Sequence, residues 1–536
     1  MCSTPPKPVD LTHHFSKTSK SRTPNALKQY YKYLFTPGMC NLSGGLPHTS
    51  IFPFGELNLT VDQPTKFPIT EEDVLDQNFT SDSTIKCHIP RHSDKSLAQK
   101  IDLATALQYG SAQGYTPLHT VLRRWVSVQH PGIPYEGGPE VIIDSGSADG
   151  LSKVFDLLFD TWDQSLDNLR NREALLVEDF VYGPPVALAR TKNVHIVPIT
   201  MDVEGILVHG AGSLSETLET WDEKRGKRPH VLYTIPRKAI YDVCSKYDVI
   251  VVEDDPYWNL YYPSARSYSA QYRGAADDIP TQLPKGQQSG YRFLDDMEPS
   301  FIKFDRDGRV IRLDSFSKTI APGCRLGWIT ASPNVIGQLF RITDDTTQQP
   351  SGFVQAIVAK LIGETCDPTQ AASSWGFDGW VRWLEGLRAA YERRMVKMAT
   401  VFEQNRSLTK GSERVTMFDF QWPLGGMFVW VEVKIDSHPF AKMIDHRKLM
   451  RALWIHCTQP PYLILTVLGK DFAATDGIAS SRGYLFFRFC FAAIEESLLE
   501  AKSKCFTDAC RDFWAICYPE RIEQLLCHED RKGAGN

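Results

Sequence analysis

Ser315-Phe316-Ser317-Lys318 closes an apolar run that begins at Ile311, and Arg325 follows seven positions after the lysine, beyond a turn containing Pro322 and Gly323. A lysine amine condenses with aldehydes. Hydroxyls and a guanidinium are what a phosphate monoester needs. An aldehyde and a phosphate on one molecule suggest pyridoxal 5′-phosphate (PLP), whose ring is an electron sink for carbanions. A lysine at a strand end is also a common solvated surface residue, so the rest of the chain must supply the other parts.

Three further stretches offer them. Glu140 to Asp144 reads as a strand, followed by Ser145-Gly146-Ser147-Ala148 and a helix carrying Leu151, Val154, Phe155 and Leu158 on one face. Strand, small-residue turn and helix N-terminus together make an anion site, because free amides point outward and the helix dipole favours negative charge; a plain loop has the same composition. Val249 to Glu253 reads as a buried strand ending in Asp254-Asp255-Pro256-Tyr257. A carboxylate at such an end can pair with a protonated pyridine nitrogen, or it can be a solvated strand end. Tyr484 to Phe491 is an apolar stretch containing one charge, Arg488. Unpaired, that arginine would be costly; it is a clamp for a carboxylate or half of a structural ion pair. Tyr182, after the strand Ala174 to Val177 and before Gly183-Pro184-Pro185, can lie flat on a ring or pack in a core.

The elements that position these residues alternate. From about residue 100 to 330 strands and helices take turns, which predicts an α/β fold with a mostly parallel sheet covered by helices. Functional residues at strand ends suit such a sheet. The expected organisation is an N-terminal arm and pocket segment at 1–55, a large domain at 56–355 and a smaller α+β domain at 356–536. Residues 263–307 are polar and irregular and read as an inserted loop.

Composition excludes several classes. The chain has 536 residues, 42% hydrophobic and 23% charged, with net charge −5. No basic surplus is available for a nucleic-acid scaffold. No apolar run reaches membrane-span length, and the N-terminus lacks an apolar signal core. The twelve cysteines are scattered and form no C-x-x-C pair, which argues against zinc-ribbon or thioredoxin-like chemistry and for reduced thiols in a cytoplasmic protein.

From about Asn41 to Glu496 the chain resembles the class I/II aminotransferases of PLP-dependent transferase fold type I. Within that class it is similar to the fungal aromatic aminotransferases and the kynurenine/aminoadipate aminotransferases. The resemblance implies PLP bound through Lys318, its phosphate held by Ser147, the amide of Ala148, Ser315, Ser317 and Arg325. It implies Asp254 at the pyridine nitrogen, Tyr257 at the ring 3-oxygen and Tyr182 on the ring face. It assigns the substrate side to Gly45, Tyr109 and Arg488, the last for the α-carboxylate. The implied activity is transfer of an aromatic amino acid's amino group to a 2-oxo acid such as 2-oxoglutarate, by a homodimer. Kynurenine or 2-aminoadipate are alternative donors. The chain also departs from the family: Pro236 runs straight into Arg237, where relatives carry a longer loop with Asn-Pro-Thr-Gly or Asn-Pro-Ser-Gly. No asparagine occurs between Pro236 and Asp254, so the 3-oxygen would lose a donor. A degenerate PLP-binding protein is therefore a second reading. A regulator of the same fold would need an N-terminal helix-turn-helix, for which the first forty residues are too short and polar.

Overall fold

The structure, a computed structural model, describes residues 5–24, 33, 36–39, 42, 45–76, 83–132, 135–202, 205–234, 238–274, 288–363 and 373–533. The chain divides into two compact units: residues 1–178, 184–259 and 280–387, and residues 179–183, 260–279 and 388–536.

The first unit opens with an antiparallel hairpin, β1 (Glu56–Asp62) and β2 (Thr84–Pro90). In β2 every second residue, Ile85, Cys87 and Ile89, is buried, the period of a half-buried strand. The centre of the unit is a seven-stranded sheet of β3 (Glu140–Asp144), β4 (Ala174–Glu178), β5 (His195–Ile199), β8 (Val231–Thr234), β9 (Ile250–Asp254), β10 (Val310–Ser315) and β11 (Gly327–Ala331). A small ribbon of β6 (Met201–Asp202) and β7 (Gly205–Ile206) follows β5. The order in the large sheet is β3-β11-β10-β9-β8-β4-β5. Only β11 runs against its neighbours β10 and β3; the other pairs are parallel. The mostly parallel sheet expected from the sequence is present. Its central strands carry apolar runs of the kind found where both faces of a sheet are covered: Val231, Leu232, Ile250, Val251, Val252 and Ile311 are all fully buried.

The second unit carries β12 (Ser407–Lys410) paired with β13 (Glu413–Thr416), and a four-stranded sheet ordered β14-β15-β17-β16. Those strands are Phe418–Phe420, Phe428–Val433, Phe486–Cys490 and Val467–Leu468 for β14, β15, β17 and β16 respectively. Within 263–307 the polar composition suggested an irregular insertion, yet Ser264–Arg273 is a helix. Its Tyr268 and Tyr272, one turn apart, stack on Trp422 with centroid separations of 5.1 and 5.7 Å. Ring packing on one face outweighs a composition poor in aliphatic residues. Among the described residues no helix is long and apolar enough to cross a membrane, and the nine cysteines among them are free thiols.

Candidate active site

Register across the large sheet collects the chemistry at the C-terminal ends of its parallel strands. Asp144 on β3 stands opposite Gly327 on β11, Gly327 opposite Ser315 on β10, and Leu313 on β10 beside Asp254 on β9. Lys318 leaves the sheet three residues past Ser315. Its turn is fixed by Phe316 N–H to the Leu326 carbonyl at 3.1 Å and by the Trp383 indole donating to the Thr319 carbonyl at 2.7 Å. The half-buried Lys318 Nζ sits 5.9 Å from the centroid of the Tyr257 ring. Ser317 N–H donates to Ser315 Oγ at 3.0 Å, and Ser315 Oγ donates to Ser317 Oγ at 2.8 Å.

The helix Ser147–Leu158 begins beside this turn, with Gly146 as its N-cap at φ +98°. The first helical amide to find a carbonyl is that of Asp149, on Gly146 at 2.8 Å, which leaves the Ser147 and Ala148 amides directed out of the helix end. Arg325 arches over them from a left-handed backbone position (φ +45°), with Nη2 donating to the Ser145 carbonyl at 3.2 Å. A Cβ at Gly146 would lie 2.8 Å from Arg325 Nη2. Beneath the turn, buried Asp144 accepts from Gly146 N–H at 2.8 Å. Burial, then repulsion from Asp149, pushes its carboxyl up to about 7. Gly146→Ala combines an unfavourable φ with that clash. It is expected to lower stability by about 1 kcal/mol and to weaken phosphate binding, read by thermal denaturation with and without inorganic phosphate.

Asp254 accepts a 2.6 Å hydrogen bond from the Tyr233 hydroxyl on Oδ2, while its Oδ1 is buried with no hydrogen-bond partner among the described residues. Burial pushes this carboxyl up to about 6; the Tyr233 bond opposes the rise, and Asp255 and Asp314 add to it. One layer below, the fully buried Arg312 reaches Asp314 at 2.9 Å and pairs with Glu253. Sequence reasoning passed over Tyr233 and Arg312. A lone arginine inside the apolar run Val310–Leu313 was the available signal.

In the second unit, the Arg488 guanidinium lies between the rings of Phe428 and Phe472, 3.9 and 4.0 Å from their centroids. Tyr182, also in that unit, is exposed. Gly45 and Tyr109 of the first unit are exposed as well; the neighbouring Gln108 donates to the Pro47 carbonyl at 2.8 Å. The Pro236–Arg237 junction, where the asparagine loop is missing, lies outside the described residues, as do Asn41, Ser43 and Gly44.

An orphaned buried carboxylate oxygen, an amine beside a tyrosine face, and a helix end roofed by an arginine fit the pyridine nitrogen, aldehyde and phosphate of PLP. The profile of the family described as "Aminotransferase class I and II" matches residues 236–500. The L-tyrosine:2-oxoglutarate aminotransferase atrD of Tapinella panuoides is 32% identical over 81% of this chain and 76% of its own length. An aromatic amino acid aminotransferase of Schizosaccharomyces pombe is 28% identical over 95% of this chain and 97% of its own. The crystal structure of aminotransferase Aro8 from Candida albicans superposes with a TM-score of 0.75, at 28% identity, covering 95% of this chain and all of that one. The chain belongs to the class I and II aminotransferases. It is a PLP-dependent enzyme of that fold.

Proposed function

We propose that the protein moves the amino group of an aromatic amino acid to a 2-oxo acid such as 2-oxoglutarate. The observation that carries the substrate class is the aromatic setting of Arg488. Its guanidinium lies between Phe428 and Phe472, with Phe180, Trp430 and Phe486 in one cluster alongside. A planar cation in that clamp binds a carboxylate bidentately in ring-rich surroundings. The names of the Tapinella and fission-yeast relatives point the same way.

PLP, when bound, supplies an electron sink for negative charge at the substrate α-carbon. Lys318 Nζ would take the proton from the α-carbon as general base and, as general acid, deliver it to the carbon that was the cofactor's aldehyde. Asp254 Oδ1 accepts from the ring nitrogen and keeps it cationic. Arg325, Ser147, the Ala148 amide, Ser315 and Ser317 hold the phosphate. Tyr257 serves the 3-oxygen, Tyr182 stacks on the ring, and Gly45 and Tyr109 line the substrate side. The exposure of Gly45 and Tyr109 supports a homodimer that covers them, and the free thiols support a cytoplasmic location.

The test is formation of the 2-oxo acid of tyrosine or phenylalanine with 2-oxoglutarate as acceptor. Faster turnover of kynurenine or 2-aminoadipate would overturn the substrate class, and no turnover of any donor would support the degenerate reading. Cofactor retention is also expected to depend on pH. The raised Asp254 carboxyl loses its charge as pH falls through about 6, and a cationic ring nitrogen pulls that value back down. Binding therefore expels a proton and tightens as pH rises, by about tenfold per unit of displaced pKa. Equilibrium dialysis of PLP from pH 5 to 8 should show this slope above the cofactor's own titration. Asp254→Asn should remove the difference and weaken binding by about tenfold or more.

A further inference from the structure

The opposite edge of the same sheet carries a second cluster of chemistry-bearing side chains that transamination does not use. Here the N-terminal arm crosses the N-terminal ends of β8, β9 and β10. Leu11 and Phe15 of the arm are buried, and Thr12–His14 is a short 3-10 turn whose amide at Thr12 is held by Asp10 at 3.0 Å. That turn places two adjacent histidines against Asp248, the residue before Val249. His13 Nε2 lies 2.7 Å from Asp248 Oδ2, and His14 Nε2 lies 3.1 Å from Asp248 Oδ1. One atom from each of the three residues falls within 4.8 Å of the others. Asp248 itself occupies a left-handed backbone position, φ +55°.

The surroundings extend the cluster inward. His14 Nδ1 faces His230 Nδ1 at 3.1 Å, and His230 Nε2 faces Glu173 at 3.6 Å. His14 and His230 are both buried, with their Nε2 atoms lacking a geometrically sound hydrogen bond among the described residues. Two facing ring nitrogens share one proton, so the tautomers are coupled. If His14 Nε2–H pointed at Asp248, His14 Nδ1 would have to accept from His230, leaving a neutral His230 with a bare Nε2 aimed at the Glu173 carboxylate. If instead His14 Nε2 is a bare lone pair, His14 Nδ1 donates to His230 and His230 Nε2–H donates toward Glu173. Only the second arrangement satisfies every inner member with neutral imidazoles, and it leaves a lone pair pointing at Asp248. A cation between them resolves that repulsion. A ligating histidine whose other nitrogen is hydrogen-bonded onward toward a carboxylate is the usual support of such a site.

We propose that His13, His14 and Asp248 form a divalent transition-metal site, of zinc type, that clasps the N-terminal arm to the sheet edge. Two imidazoles and one carboxylate suit zinc, with solvent filling the open side at exposed His13. Arg309 Nη1, 3.4 Å from Asp248 Oδ1, helps orient that carboxylate.

The test uses PLP-loaded full-length protein, stripped with chelator and titrated with Zn²⁺ by calorimetry. Expected are one bound zinc per chain, a raised melting temperature that chelator reverses, and slower proteolysis of the arm. Cobalt substitution should give the intense visible spectrum of a tetrahedral site, and Mg²⁺ and Ca²⁺ should give no response. His13→Ala and Asp248→Asn should abolish the response while leaving transaminase activity unchanged. Glu173→Gln should weaken zinc by about 10–100-fold. Absence of zinc binding, binding that persists in both ligand variants, or an octahedral cobalt spectrum would each overturn the site.

Discussion

Lys318→Ala is expected to lower transaminase turnover by at least about 10²–10⁴-fold, the range of positioned proton transfer. The reason lies in where the amine stands. It is the half-buried amine above the Tyr257 ring, on a turn fixed at both ends by Phe316–Leu326 and Trp383–Thr319 bonds. Removing it leaves the phosphate cradle of Gly146, Ser147 and Arg325 and the Asp254 oxygen in place. The variant should therefore still take up PLP, but without a covalent link. Borohydride should tag the wild type at position 318 and leave the variant untagged after dialysis. Lys318→Arg, which keeps charge and length, should be nearly as impaired because guanidinium neither condenses nor gives up its proton. Retained turnover in either variant, or a tag at another lysine, would remove Lys318 from its assigned role.

The site was legible where residue type and position coincide. Asp254 and Lys318 each come at the end of a strand recognisable by its apolar run, Ile250–Val252 in one and Val310–Leu313, broken only by Arg312, in the other, the pattern of strands buried on both faces. The Ser145–Ala148 turn was legible for the same reason. What escaped was chemistry carried by side chains inside strands. Tyr233 looked like core until its hydroxyl was seen on Asp254. Arg312 obeys the rule that singled out Arg488, a charge in an apolar strand, yet its partners Glu253 and Asp314 stand on a neighbouring strand and two residues along its own. Pairings of that kind depend on register. The β1–β2 hairpin was missed although Ile85, Cys87 and Ile89 alternate cleanly, because charged residues between them dilute the apolar signal. The helix at Ser264–Arg273 was missed because its apolar face is built of tyrosine.

Arg312→Met is expected to be the most destabilising of the single substitutions considered. Arg312 is fully buried and lies among Glu253, Asp254, Asp255 and Asp314 at the ends of β9 and β10. Even with the arginine present, burial pushes Glu253 up to about 7 and Asp255 to about 6. Asp314 is also raised by burial, against the pull of Arg312. Without the guanidinium, several carboxylates share a dry layer with no counter-charge, and breaking a buried pair in this way costs about 3–5 kcal/mol. The pH dependence has a definite sign. These carboxyls bind protons more tightly in the folded chain than at their unfolded values of about 4. Their contribution to stability is complete below about pH 4 and is lost as pH rises through 6 to 7. Removing Arg312 moves the folded values further up, so the deficit should be larger at pH 7.5 than at pH 5.5. Urea denaturation at both pH values measures it. Adding Glu253→Gln to Arg312→Met should recover part of the loss at pH 7.5, because a neutral amide needs no counter-ion. An equal deficit at the two pH values would show that lost packing, rather than stranded charge, is what the arginine prevents.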